Sequence, residues 1–459
     1  MSESNYSSDA QKHADFCVKD ARRALEFWAT RSLEHRTEIL NRYADELKGM
    51  RALLADVISE EVGKPLWESF TEVDAMINKV GLSIDAQRKL RSEESKPAGD
   101  AKAITRFKPH GVAVVLGPFN MPGHLPNGHI VPALLAGNTV VFKPSEHASM
   151  AGDVIWACLE KAGLPKHALT YALGGRDVGE ALVKHPDIDA IYFTGSFAAG
   201  VAINTANAHR PGVILALEMG GNSPLVVWDV ADLKAAAVMT IQSAFITSGQ
   251  RCSCARRLIV RRGADEFLGE LVAMAQKIRV GKYADRPEPF MGRVISEDAA
   301  EKLLQAQQML IDHGGKALLE MKSTEAGKAF LTPGIIDVTE AKDIPDEEIF
   351  GPLLQVIRVE DFEGAMRQAN ATRYGLSAGL LSDRRELFDQ FYARVRAGVI
   401  HWNRPTTGAS SALPFGGIGD SGNHRPAGYF SAEYCSYPVA VLESEKLTMP
   451  ATIPPGIGT

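Results

Sequence analysis

Short runs of consecutive apolar residues punctuate the middle of this chain. Val112-Ala113-Val114-Val115-Leu116, Thr139-Val140-Val141-Phe142, Ala190-Ile191-Tyr192-Phe193 and Val213-Ile214-Leu215-Ala216-Leu217 lack the apolar–polar alternation of a half-exposed strand. Such runs are what strands buried on both faces look like. Helix-period stretches over 150–161 and 177–184 lie between them, each closed by a Gly or Pro signal. The alternation predicts a parallel sheet covered by helices on both faces. Upstream, Leu40, Tyr43, Leu47 and Leu54 recur at helical spacing among charged neighbours, and no Pro intervenes before Pro65. Roughly the first 90 residues therefore predict an amphipathic helical lead-in. From Asn222, Leu225-Val226-Val227-Trp228 opens a second αβ unit that extends to Gly408, with helices predicted over 231–246 and 298–311.

Composition narrows the class. At 459 residues the chain exceeds one compact core, so two or more domains are expected. Hydrophobic residues at 45%, charged residues at 23%, 41 Gly and 24 Pro are ordinary globular usage and argue against disorder or a fibrous repeat. A net charge of −6 offers no basic footprint for nucleic acid. Residues 1–19 lack the apolar core of a signal peptide and no later run is long enough to span a bilayer. A soluble, cytoplasmic protein with no membrane partner is expected. The five cysteines, Cys17, Cys158, Cys252, Cys254 and Cys435, are scattered, which suits free thiols in a reducing compartment.

Candidate chemistry gathers where the predicted elements end. Ser248-Gly249-Gln250-Arg251-Cys252-Ser253-Cys254 follows a helical stretch and precedes the apolar Leu258-Ile259-Val260, so Cys252 sits where the chain turns. A thiol there can serve as a nucleophile, its thiolate favoured by a helix N-terminus or by a cation such as Arg251. On its own it reads more simply as a small buried hydrophobe. Cys254 adds a metal or disulfide alternative, but Cys-x-Cys without a second Cys or His pair lacks zinc-site spacing, and no metal is expected. Glu218 closes a predicted strand, where open α/β sheets place ligand groups; partial burial would make it a usable general base, and capping the following turn is the equal alternative. Asn120, in Gly117-Pro118-Phe119-Asn120-Met121-Pro122-Gly123-His124, is either an amide donor to an oxyanion or a turn residue. Lys143 and Glu146 of Lys143-Pro144-Ser145-Glu146 can reach a ribose or form a solvated turn. Phe193-Thr194-Gly195-Ser196-Phe197-Ala198-Ala199-Gly200 runs from a strand into a helical stretch whose first N–H groups can hold a diphosphate. It lacks Gly-x-Gly-x-x-Gly spacing, and an ordinary βα turn is the simpler reading. His124 and His129 read most simply as structural.

Taken in order with Glu348-Ile349-Phe350-Gly351-Pro352 and Pro414-Phe415-Gly416-Gly417, these segments resemble the aldehyde dehydrogenase superfamily over nearly the whole chain. The resemblance implies Cys252 as nucleophile, Glu218 as general base, and Asn120 with the Cys252 N–H as oxyanion hole. It implies NAD as cofactor, with Lys143, Ser145 and Glu146 at the adenine ribose. Gly195, Ser196, Phe197, Ala198, Ala199 and Gly200 would then lie near the diphosphate, and Glu348 with Phe350 at the nicotinamide ribose. An aldehyde would be oxidised through a thiohemiacetal and thioester on Cys252. Resolution by coenzyme A and a non-catalytic binding role are the alternatives, and the presence of Glu218 and Cys252 argues against both. Glu146 would accept bonds from ribose hydroxyls and repel a 2′-phosphate, which favours NAD over NADP.

The implied fold is α/β, with two αβ domains built on parallel sheets and a small oligomerisation arm. The cofactor domain is expected over 1–100 and 109–221, the catalytic domain over 222–412 and the arm over 101–108 and 426–459, in a homodimer or homotetramer. Residues 120–129, 422–426 and 447–452 resemble a branch that oxidises a succinylated glutamate semialdehyde in arginine catabolism. Phe119 and Met121 stand where that branch is expected to carry Tyr and Phe, and Arg404 where a Lys is expected. His124, Arg404, His424 and Arg425 are the expected contacts to the substrate carboxylates, with bracing of the C-terminal tail as the alternative role for the arginines.

Overall fold

The structure is a computed structural model that describes residues 3–99, 101–450 and 452–457. Met1, Ser2, Asp100, Ala451, Gly458 and Thr459, which the expected domain and arm bounds include, lie outside the described residues.

The apolar runs form a five-stranded sheet in the order Leu169–Tyr171, Thr139–Lys143, Val112–Leu116, Ala190–Thr194, Ile214–Glu218, parallel throughout. Successive side chains leave opposite faces, and both faces are covered. Ala113 and Val115 pack among the helices Leu33–Gly49, Arg51–Val62, Leu66–Leu90, His124–Ala136 and Ser149–Lys161. Val112 and Val114 pack against Glu3–Trp28, Arg176–Lys184 and Phe197–Asn207. Two-sided burial explains the missing alternation. Strand order reverses between Val112–Leu116 and Ala190–Thr194, and the crevice beyond their carboxyl ends is where open α/β sheets bind ligands.

The lead-in is four helices. Ser32 begins the second by accepting a bond from the His35 N–H at 3.2 Å, and Gly63 ends the third at φ 77°. Leu40, Tyr43, Leu47 and Leu54 are fully buried.

A second sheet has seven strands in the order Lys316–Leu319, Gly334–Asp337, Leu353–Val359, Ala255–Arg261, Ser223–Val227, Ser377–Leu381, Val399–Trp402. All its pairings are parallel except the first, an antiparallel edge. A third, antiparallel sheet joins Glu94–Ala98, Ala101–Pro109 and Ser436–Glu443. The first of these strands falls within the bounds expected for the cofactor domain. Among the described residues no helix is long and apolar enough to cross a membrane.

Candidate active site

The turn that carries Cys252 is strained and held from beneath. After the helix Leu233–Phe245 the chain enters a tight turn in which Thr247 (φ 55°), Ser248 (φ 52°) and Gly249 (φ 72°) are successively left-handed. Each non-glycine residue there costs of order 1–2 kcal/mol and persists only if its surroundings impose it. Buried hydrogen bonds do so. The Thr247 hydroxyl and N–H both donate to the Glu68 carboxylate, the latter at 3.2 Å, and Ser248 Oγ donates to the Gly292 carbonyl at 2.9 Å. A Cβ on Gly249 would run into the Gly351 carbonyl, so only glycine fits. Arg251 donates to Glu68 at 2.7 Å and to the Thr247 hydroxyl at 2.8 Å.

The Asn120 loop is braced by the same helix, Leu66–Leu90. Asn120 Nδ2 donates to the Gln250 carbonyl at 2.9 Å, which ties the amide to the cysteine turn. The Asn120 carbonyl accepts from Lys64 Nζ at 2.9 Å, and Lys64 is ion-paired with Glu72. Glu72 also accepts from the N–H groups of Gly123 at 2.8 Å and His124 at 3.0 Å. Glu68, Glu72 and Lys79 of this helix are each 1% exposed, a buried polar stripe.

Cys252, Glu218, Asn120 and His124 line one cavity, together with Lys79, Met121, Arg251, Ser410, Ser411 and Phe415. Glu218 ends its strand opposite Thr194 and bridges to Gly422 of the returning chain. The Leu217 N–H donates to Asn423 Oδ1 at 3.0 Å and the Met219 N–H to the Ser421 carbonyl at 3.0 Å. Burial holds the Glu218 carboxyl well above the usual range, opposed by a bond from the Ala427 N–H, and Glu218 Oε2 has no partner among the described residues. Burial, then Glu348 and Glu218, pushes the Cys252 thiol up to about 12. The cation that opposes this shift is Arg256, while the adjacent Arg251 turns to Glu68 and Thr247. All five cysteines are free.

The other sequence candidates divide. At the carboxyl end of Thr139–Lys143, Lys143 Nζ lies 3.7 Å from Glu146 and donates to the Pro144 carbonyl at 3.2 Å, and burial lowers its pKa. Ser145 Oγ accepts from the His147 N–H. Ser196 caps the helix Phe197–Asn207 by accepting from the Ala199 N–H at 3.3 Å, which places Phe197, Ala198, Ala199 and Gly200 in its first turn, beyond Gly195. Glu348 pairs with Arg256 at 3.1 Å and approaches Gly220 so closely that a Cβ there would collide with it. Phe350 packs edge-on against Phe119, and both line a depression with Gln250 and Glu348. A lysine, two carboxylates and a helix N-terminus along the carboxyl edge of a five-stranded parallel sheet suit a dinucleotide.

Arg404, His424 and Arg425 are exposed and outside the Cys252 cavity. His424 and Arg425 border a separate depression with Arg91, His110 and Tyr437. In their place the cavity holds Lys79 and Arg251, which sequence reasoning did not single out as substrate contacts. The signal for Lys79 is the spacing of Glu68, Glu72, Lys79, Ser83 and Gln87, polar residues recurring on one helix face that also carries Val73, Met76 and Val80 nearby.

A dinucleotide-type sheet edge lies beside a cavity with a cysteine, a buried carboxylate and a turn amide, an arrangement that suits an oxidoreductase. The chain matches the aldehyde dehydrogenase family over residues 4–440 and belongs to it. It is an aldehyde dehydrogenase, an enzyme class that uses a nicotinamide cofactor. It is 53% identical over 445 residues to the N-succinylglutamate 5-semialdehyde dehydrogenase of Ectopseudomonas mendocina (strain ymp), covering 96% of this chain and 91% of that protein. Among solved structures, the NADP-dependent glyceraldehyde-3-phosphate dehydrogenase of Bacillus halodurans C-125, complexed with NADP, superposes with a TM-score of 0.87 at 28% identity, over 95% of this chain and 91% of that one. A bifunctional proline utilization A protein superposes with a TM-score of 0.90 at 30% identity over 95% of this chain, which spans only 45% of that larger protein.

Proposed function

We propose that this enzyme oxidises N-succinylglutamate 5-semialdehyde to N-succinylglutamate, with NAD as acceptor and Cys252 as nucleophile. The observation that carries the reading is the convergence of Cys252, Glu218 and Asn120 on one cavity whose wall also carries the buried Lys79 and the part-buried Arg251. The relative in Ectopseudomonas mendocina supports the choice of aldehyde. The Cys252 thiolate attacks the carbonyl carbon. Asn120 Nδ2 spends one N–H on the Gln250 carbonyl and keeps a second for the alkoxide, beside the Cys252 N–H. Bound nicotinamide supplies the hydride acceptor. Glu218, held basic by burial, takes a proton from the water that attacks the thioester, and the acid leaves with Cys252 restored.

Lys143, Ser145, Glu146, residues 195–200, Glu348 and Phe350 are assigned to the cofactor. Glu146 is exposed at the sheet edge, where it would repel a 2′-phosphate and favour NAD. The two αβ domains and the arm are kept, with Glu94–Ala98 counted in the arm sheet, and the free thiols suit a cytoplasmic enzyme. Ser436–Glu443 is an edge strand with Leu442 exposed, a surface suited to a second copy in a homodimer or homotetramer. Rates over aldehydes of increasing length and carboxylate number, with NAD or NADP at equal subsaturating concentration, test the assignment. The succinylated semialdehyde with NAD should turn over fastest; a faster neutral aldehyde overturns the substrate, and faster turnover with NADP overturns the cofactor.

A further inference from the structure

The buried and part-buried cations near the cysteine turn are compensated, with one exception. Lys64 is paired with Glu72, Arg251 with Glu68, and Arg256 with Glu348. Arg257 spreads its charge over the carbonyls of Asn222, Gln368, Ala369 and Ala371. Lys79 is as deeply buried, yet among the described residues its ammonium has no carboxylate partner and meets one acceptor, the Gly428 carbonyl. That carbonyl also takes a bond from Ser431 Oγ at 3.0 Å, so it does not depend on Lys79. An ammonium sequestered from water without a counter-ion is expensive to keep. Lys79 nevertheless lines the cavity that holds Cys252. Its stem runs past Gly128, where a Cβ would stand 3.9 Å from Cε, so no side chain shields it from that wall. Beside it, buried His124 Nδ1 has no hydrogen-bond partner, while Nε2 lies 3.5 Å from Ser411 Oγ. One cavity wall thus carries an ammonium without a counter-ion and an imidazole nitrogen without a hydrogen-bond partner among the described residues.

We propose that the missing counter-ion arrives with the substrate: Lys79 is the specificity-determining cation that receives a carboxylate of the aldehyde, with His124 as the neighbouring hydrogen-bonding group. The proposal rests on the reading that the substrate is acidic. Burial lowers the Lys79 pKa to about 8, and an arriving carboxylate would restore the charged form. The assignment moves substrate recognition from Arg425 and His424 to the buried face of Leu66–Leu90.

The test compares wild type with Lys79→Met and Lys79→Gln, using N-succinylglutamate 5-semialdehyde and uncharged pentanal as substrates and glutarate as a dicarboxylate inhibitor. Both variants should raise KM for the acidic aldehyde by about 10-fold or more, with kcat and pentanal turnover within about 3-fold of wild type. Competitive inhibition by glutarate against pentanal should weaken in parallel. Neither variant should melt below wild type, because the charge removed is unpaired. Equal losses on both aldehydes, or unchanged glutarate inhibition, overturn the assignment. A wild type that prefers pentanal sinks the substrate reading alone, since glutarate competition lost in both variants would still place an anion at Lys79.

Discussion

The helix Leu66–Leu90 joins two interiors of opposite character. Val73, Met76 and Val80 enter the apolar core that supports the five-stranded sheet, where position follows from shape and many neighbours share each contact. Glu68, Glu72 and Lys79 enter a polar seam beneath the Asn120 and Cys252 turns, where position follows from a few directed bonds. The apolar side tolerates redistribution of volume. The polar side does not, because removing one member of a buried pair leaves the other charged and unsolvated. Stability is thus spread over the core, while the placement of the Asn120 and Cys252 turns hangs on single residues.

Four single substitutions, one of them also combined with Lys64→Met, set the two regions against each other, in order of their effect on turnover. Glu218→Gln should lower kcat by about 10²- to 10⁴-fold while leaving the fold intact. Because burial raises the folded-state pKa of Glu218, its stabilising contribution is full below the unfolded carboxyl pKa and fades as pH rises through the folded value. Base strength becomes available over that same rise, so kcat of wild type should climb with pH along a limb that lies above the ordinary carboxylate range. The variant should lose that limb and melt no lower than wild type at alkaline pH; an unchanged kcat profile removes Glu218 as the base. Glu72→Leu should cost about 3–5 kcal/mol in denaturant unfolding and lower kcat as the Asn120 loop loosens. Adding Lys64→Met should recover most of the stability and little of kcat, since the Gly123 and His124 N–H groups still lack an acceptor. Recovery of both would erase the distinction between seam and core. Phe142→Ala in the apolar core should also cost about 3–5 kcal/mol, with kcat well below the melting temperature within about 3-fold of wild type. Arg425→Ala should change KM for the acidic aldehyde by less than about 2-fold, as expected of an exposed side chain outside the cavity; a larger rise would return Arg425 to the substrate.

The sheet was legible because burial on both faces is written locally, in uninterrupted runs such as Val112 to Leu116. Cys252, Glu218 and Asn120 stood out because each follows or ends a run where the chain must turn. The seam was harder to read: polar residues at helical spacing look like a solvated face until the partners of Glu68 and Glu72 arrive from residues 120–124 and 247–251. The direction of a long cation is equally non-local. Arg251 lies next to the cysteine in sequence yet spends its charge on Glu68, and Arg425 lies in a motif yet borders a different depression. The antiparallel edge Lys316–Leu319 escaped because its short run matches strand and helix alike.

The bridge from Glu218 to Gly422 has a consequence for how the enzyme comes into being. Residues more than two hundred positions apart complete one wall, through Asn423 to Leu217 and Ser421 to Gly220. The first sheet can assemble while the ribosome is still at work, but the carboxylate at its end keeps an open flank until residues 421–423 emerge. The wall beside Glu218 is therefore absent until residues 421–423 have been made, and a chain cut short before them carries the Cys252 thiol without that enclosure.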